Sequence, residues 1–137
     1  VHQFNTSNSP LLSDKIYSIE INENTGEVFI GSDKGLVSYK GEATKGKDDY
    51  SDVYAYPNPV RPEYRDKVTI TGLMDNSIVK ITDLNGNLVY QTKSLGGQAI
   101  WNCRNTKGVR VASGVYLVLS ATEDSKESIV TKIAVIK

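Results

Sequence analysis

Chemistry at neutral pH needs a nucleophile beside a base, paired carboxylates, or a cluster of metal ligands. Few residues in this chain qualify. Cys103 is the one thiol and His2 the one histidine, far apart in sequence. A reactive thiol wants a cationic or basic partner beside it. No histidine stands near Trp101-Asn102-Cys103-Arg104, so Cys103 reads as a free cysteine in a loop. His2 has no partner at metal-ligand spacing and reads as a solvated terminal residue. Asp48, Asp49 and Asp52 suggest a calcium loop, but the EF-hand spacing and its closing Glu are absent, which leaves a solvated linker. Asp83, just ahead of Asn85-Gly86, reads as a turn-forming side chain rather than an acid catalyst. Trp101 with Tyr116 and Tyr90 admits a sugar-stacking platform. A Trp ending a strand beside Gly-rich loops otherwise packs in the core or at its rim, where its large apolar area is used. The expectation is no enzyme, with no catalytic residue, no cofactor and no metal.

Composition narrows the partners. Lys+Arg and Asp+Glu both number 16, so the net charge is zero, which argues against nucleic acid or an anionic membrane as main partner. No apolar run nears the roughly 20 residues of a membrane-spanning helix, so no transmembrane segment is expected. The chain opens on Val1 with no leader ahead of its first strand, and is expected to be a fragment of a longer, exported protein. One cysteine cannot staple a domain, which suits an exported chain that does without disulfides.

The elements that must position these residues are all strands. Lys15–Ile21 alternates Tyr17, Ile19 and Ile21 against mostly polar neighbours, as a half-buried strand does. A turn cluster ending in Gly26 leads to a strand over Glu27–Gly31, and Ser32–Gly35 turns into another over Leu36–Tyr39. Residues 40–52 are Gly- and charge-rich without apolar period. Beyond them come Tyr54-Ala55-Tyr56-Pro57-Asn58-Pro59, an edge strand leaving a sheet, then strands over Asp66–Gly72, Ser77–Leu84 and Asn87–Thr92. Asn85-Gly86 between two of these predicts a two-residue type I′ hairpin, in which both residues take φ > 0. Gln98–Trp101, Gly114–Thr122 and Ser128–Ile136 complete the set. The run Val115-Tyr116-Leu117-Val118-Leu119 is apolar throughout, which predicts a central strand covered on both faces. Gly114 is read as the tight turn into it. The fold class is all-β: a seven-stranded immunoglobulin-like β-sandwich preceded by a three-stranded partial blade.

The first three strands resemble one β-propeller blade, as in the two-component-regulator-type repeats of Bacteroidetes sensor and secretion proteins. Leu12-Ser13-Asp14-Lys15-Ile16, Gly26–Gly31 and Asp33-Lys34-Gly35-Leu36-Val37 carry the likeness, with Phe29 where the family has Trp and Ser32 where it has Thr. One blade cannot close a propeller, which implies further blades upstream. The remainder resembles the C-terminal sorting domains of the Bacteroidetes type IX secretion system. The residues are Tyr56-Pro57-Asn58-Pro59, Ile81–Val89 with Gly86, Trp101–Arg104, Gly108, Val111–Tyr116 with Gly114, and Lys132–Lys137. Hook-capping flagellar Ig-like modules share the Trp segment and the Gly-Val-Tyr strand and are the fold relatives most readily confused with it. Asn102-Cys103 stand where the family has Asp-Gly. A Cys disfavours φ > 0, so a turn of different shape is expected there.

The resemblances imply domains at 1–45 (partial blade) and 53–137 (sorting-type domain), with a linker at 46–52. They imply a non-enzymatic module of a larger exported propeller protein, serving type IX secretion targeting or cell-surface retention, with secretion-machinery or outer-membrane proteins as partners. The last strand, through Lys132, Ile133, Val135 and Lys137, is expected to present free backbone groups for strand addition to a receptor. Trp101, Gly114 and Tyr116 are expected to hold the fold. The alternative is an accessory domain of a periplasmic or surface propeller that binds glycan or lipopolysaccharide, or acts as a sensor. Unpaired blade edges would allow a homodimer.

Overall fold

Ten strands and no helix make up the computed structural model, which describes residues 3–137. His2 lies outside the described residues. The chain divides into two compact units, one ending at Thr44 and the other starting at Lys45.

In the first unit, β1 (Ile16–Asn22), β2 (Glu27–Ser32) and β3 (Gly35–Lys40) form one antiparallel sheet in chain order. Ile19 stands opposite Ile30, which stands opposite Val37; Ile21, Val28 and Tyr39 form the next row. Directly opposed residues share a face, so the alternation read from the sequence gathers these apolar side chains on one side. That side stays open: Ile19 is 62% exposed and Ile21 59%.

The second unit holds the other seven strands: β4 (Tyr54–Tyr56), β5 (Val68–Thr71), β6 (Ile78–Thr82), β7 (Leu88–Lys93), β8 (Gln98–Trp101), β9 (Gly114–Ala121) and β10 (Ser128–Val135). They make two antiparallel sheets, ordered β4-β5-β8 and β10-β9-β6-β7. Alternate residues of both sheets bury together. Ala55, Val68, Ile70, Ala99 and Trp101 from one sheet meet Val79, Ile81, Tyr116, Val118, Ile133 and Val135 from the other, with Val60, Leu73, Cys103 and Val111 completing the core.

Three expectations change here. β9 is flanked by β10 and β6, yet only one of its faces is buried. Tyr116, Val118 and Ser120 point into the core, whereas Leu117 and Leu119 are half-buried on the outer face, in a shallow hollow with Leu84, Leu88 and Ile129. An apolar run therefore reported a second, partly covered face rather than two covered ones. The hairpin after β6 is not a two-residue type I′ turn either. Only Gly86 of the Asn-Gly pair has positive φ, at 84°. Asp83 and Asn87 close a three-residue loop, with Asp83 N–H donating to the Asn87 carbonyl at 3.1 Å and Gly86 N–H to the Asp83 carbonyl at 3.1 Å, the geometry of a type I turn followed by a left-handed glycine. The stretch read as a linker, 46–52, is bonded into the second unit. Lys47 N–H donates to the Leu73 carbonyl at 2.8 Å, and the Tyr50 hydroxyl pairs with the Ser77 hydroxyl at 2.7 Å. Ser77 and Ser94 are buried and both donate to the Met74 carbonyl, so this polar joint between the sheets is satisfied.

Candidate functional site

In a strand at a sheet edge, every second residue turns its backbone N–H and C=O away from its neighbour. In β10 and its continuation those residues are Lys132, Ala134 and Ile136. Four of these outward groups are not free, contrary to the expectation of an open edge. The Asn58 carboxamide donates to the Lys132 carbonyl at 2.8 Å and accepts from Ala134 N–H at 3.0 Å. Val60 N–H then donates to the Ala134 carbonyl at 2.7 Å, and Ile136 N–H to the Val60 carbonyl at 2.8 Å. The segment runs parallel to β10, with Val60 opposite Val135.

The sequence explains why a side chain does part of this work. Ala55 is buried in β4 opposite Ile70 and anchors the segment. Pro57 and Pro59 have no N–H to give to a ladder, so between them only Asn58 has a donor to offer, and its carboxamide supplies the same donor and acceptor pair as a peptide unit. Val60 has no exposed surface and pins the far end. Both X–Pro bonds of the motif are cis.

Of the four residues expected to carry recognition, Ile133 and Val135 are buried in the core, and Lys132 is exposed. Lys137 is also exposed, with its N–H held by the Ser113 hydroxyl at 2.8 Å. Of those four residues, the folded edge thus shows a partner only the two lysines, with Ile136 also exposed just past the end of β10. Sequence reasoning missed Val60 and the bonding role of Asn58, because their partners lie more than seventy residues away.

The aromatic platform does not form. Trp101 has no exposed surface, meets Tyr116 edge-on at 5.5 Å between ring centroids, and gives its indole N–H to the Arg104 carbonyl at 2.9 Å. Tyr116 gives its hydroxyl to the Ala112 carbonyl at 2.8 Å. Gly114 shows no sign of being required: its φ is not positive, and an added Cβ would meet only Tyr116 Cε2 at 3.9 Å. One glycine that the backbone does require is Gly72, at φ 85°, where a Cβ would run into the Asp52 carbonyl oxygen.

Cys103 is not a surface thiol. It is buried, and it adopts the left-handed conformation at φ 56°, so the turn keeps a positive φ without the glycine. Burial pushes its thiol up, against the pull of the Arg110 charge, which makes it a poor nucleophile. The loop that follows is tied within itself. Asn105 Oδ1 accepts from Lys107 and Val109 N–H at 3.0 Å each, and Arg104 donates to the Gly108 carbonyl at 2.7 Å. Thr106 N–H donates to the Val89 carbonyl at 3.0 Å and so covers part of the β7 edge. Asp83 is a turn residue: it accepts from Asn85 and Asn87 N–H at 2.9 Å each, and the Asn87 donors hold its carboxyl below the usual carboxylate range.

Residues 54–137 match the secretion system C-terminal sorting domain model, from the first residue of β4 to the end of the described chain. The chain belongs to that family. This sorting domain is of the type IX secretion system and marks an exported protein. The structure of PorZ, an essential bacterial surface component of the type IX secretion system of Porphyromonas gingivalis, is similar over 100% of the chain at 43% identity and a TM-score of 0.66. The chain spans only 18% of PorZ's length. Dimeric latent PorU from the same organism is 22% identical, with a TM-score of 0.46, over 80% of this chain and 12% of its own. The BSP domain of a biofilm associated protein is 20% identical, with a TM-score of 0.45, over 81% of this chain and 18% of its own. No curated protein matches the chain. Among the described residues, no helix is long and apolar enough to cross a membrane.

Proposed function

We propose that residues 54–137 form a non-enzymatic, immunoglobulin-like module that targets a larger exported protein through the type IX machinery or retains it at the cell surface. The observation that carries this reading is the coincidence of the family match with a unit that has its own core. Among the described residues, every buried apolar side chain, from Ala55 to Val135, falls inside the matched stretch. The sheet orders β4-β5-β8 and β10-β9-β6-β7 support the immunoglobulin-like assignment, since they correspond to strands A-B-E and G-F-C-C′ of such sandwiches. The three-stranded sheet ahead of it is read as part of a propeller blade. Its uncovered apolar face is what a blade turns toward its neighbour, and the full-length likeness to a small share of PorZ fits such a larger protein.

The partners in this reading are proteins of the secretion machinery. Exposed Lys132 and Lys137 meet them directly, while Ile133 and Val135 act by fixing β10 in the core. Grafting residues 45–137 onto a soluble reporter, in cells that carry the type IX system, tests it. The reporter is expected at the cell surface or in the medium. Retention of the folded fusion in the periplasm sinks the proposal.

A further inference from the structure

We propose that the backbone edge of β10 from Lys132 to Ile136 is a latent docking edge. Residues 58–60 occupy it in the free domain, and its partner is an extended segment bearing a carboxylate side chain. The inference rests on the targeting reading for its purpose, but on hydrogen bonds alone for its geometry.

The four groups bonded by residues 58–60 are the Lys132 carbonyl, the Ala134 N–H and carbonyl, and the Ile136 N–H. Two donors and two acceptors at every second residue are the footprint of a β-strand. The present occupant matches it imperfectly. Its prolines supply no N–H, and half of its bonds come from one exposed side chain. An ordinary strand offers the same pattern from its backbone without gaps, which is how strand addition gains affinity.

The cover over the opposite edge of this sheet is built differently. There the loop reaching Val89 is tied by Asn105 and Arg104 to its own backbone, so displacing it would break those bonds too. Asn58, by contrast, is bonded to β10 itself, and within residues 58–60 only Val60 is buried, with Ala55 holding the chain ahead of them in β4. Exposed Lys132 and Lys137 border the edge, and a carboxylate on the incoming segment would face them. Two cations on an edge also repel a second copy of the same strand, which makes an acidic foreign segment the partner that fits.

The test compares the parent chain with Asn58→Ala, using as probe an acetylated heptapeptide of alternating valine and glutamate. Losing two bonds from the strap is expected to raise peptide affinity about tenfold, with the Ala134 and Ile136 amide resonances shifting on binding. A lysine-for-glutamate version of the peptide is expected to bind more weakly. Equal affinity in parent and variant overturns the proposal, as does binding that leaves those two amides unmoved. Should Asn58→Ala fail to fold, hydrogen exchange in the parent decides. Ala134 and Ile136 are expected to exchange well ahead of Val118 through local opening, and equal protection means the strap never releases. Failure of the reporter graft with these results intact would remove the targeting reading and leave the docking edge standing.

Discussion

The two units are written in the same grammar and reach different ends. Each has antiparallel strands, short turns and apolar residues at alternate positions. In the second unit that alternation buries Val68, Ile70, Val79, Ile81, Val118 and Ile133 completely. In the first, among the described residues, no apolar side chain is buried. The difference lies in the number of layers. A sheet hides one face only when a second layer lies on it, and the second unit folds its chain into two sheets where the first has one. Alternation specifies a strand and a face; what covers that face is decided elsewhere.

The largest effect expected from this contrast is at Trp101. Trp101→Ala should cost about 3–5 kcal/mol of the second unit's stability, through lost burial and the cavity left behind, and should free the Arg104 carbonyl. Ile19→Ala removes a side chain that is apolar but uncovered, and should change stability by less than about 0.5 kcal/mol. Chemical denaturation followed by far-UV circular dichroism reads both. A cost of several kcal/mol for Ile19→Ala would mean that its face is covered in solution.

Backbone demands separate in the same way. Gly72→Ala forces a Cβ against the Asp52 carbonyl at a positive φ, so a loss of at least about 2 kcal/mol is expected. Gly114→Ala meets nothing closer than 3.9 Å and should be neutral or slightly stabilising, since it only restricts the unfolded chain. Thermal melts of the two variants side by side check this pair. A severe loss at Gly114 would restore it as the required turn that the sequence suggested.

The comparison also shows what a sequence can and cannot carry. All ten strands follow from alternation and turn residues, because both are local. Asp83 as a turn former, rather than an acid, is legible for the same reason. The partition into sheets is not: β8 follows β7 in the chain, yet pairs with β5. Which residues seal an edge is equally hidden, since Asn58 and Lys132 are 74 positions apart and neither is unusual where it stands. Val115–Leu119 misled by being apolar throughout, because a half-covered outer face and a fully covered one use the same residues. The Asn85-Gly86 pair misled because Asp83 and Asn87 together outbid the two-residue turn.

A smaller effect concerns polar groups inside the second unit. Thr82 is 6% exposed and its Oγ1 has no hydrogen-bond partner; Ser120 Oγ is likewise buried and unpaired. An unpaired buried hydroxyl carries its desolvation cost with no return. Thr82→Val keeps the shape and removes that cost, so a gain of about 1 kcal/mol is expected in urea denaturation. A loss would show that a water or neighbouring group satisfies Thr82 in solution.

The smallest effect is a pH dependence that belongs to the second unit. Burial raises the Cys103 thiol in the folded state, and burial first, then Asp66 and Asp83 respectively, raises the Tyr64 and Tyr116 hydroxyls. A raised pKa means that the folded state holds its proton longer than the unfolded chain does. The contribution is therefore fully present below the unfolded value and is lost as pH climbs through the folded one. For Cys103 that loss starts near the ordinary thiol value, at roughly pH 8.5, with the tyrosines following at higher pH. Urea midpoints measured from neutral pH upward should fall across this range. In Cys103→Ala the early part of the fall should disappear while the later part remains. An unchanged slope in that variant would show that the buried thiol ionises in the folded unit as readily as in the unfolded chain.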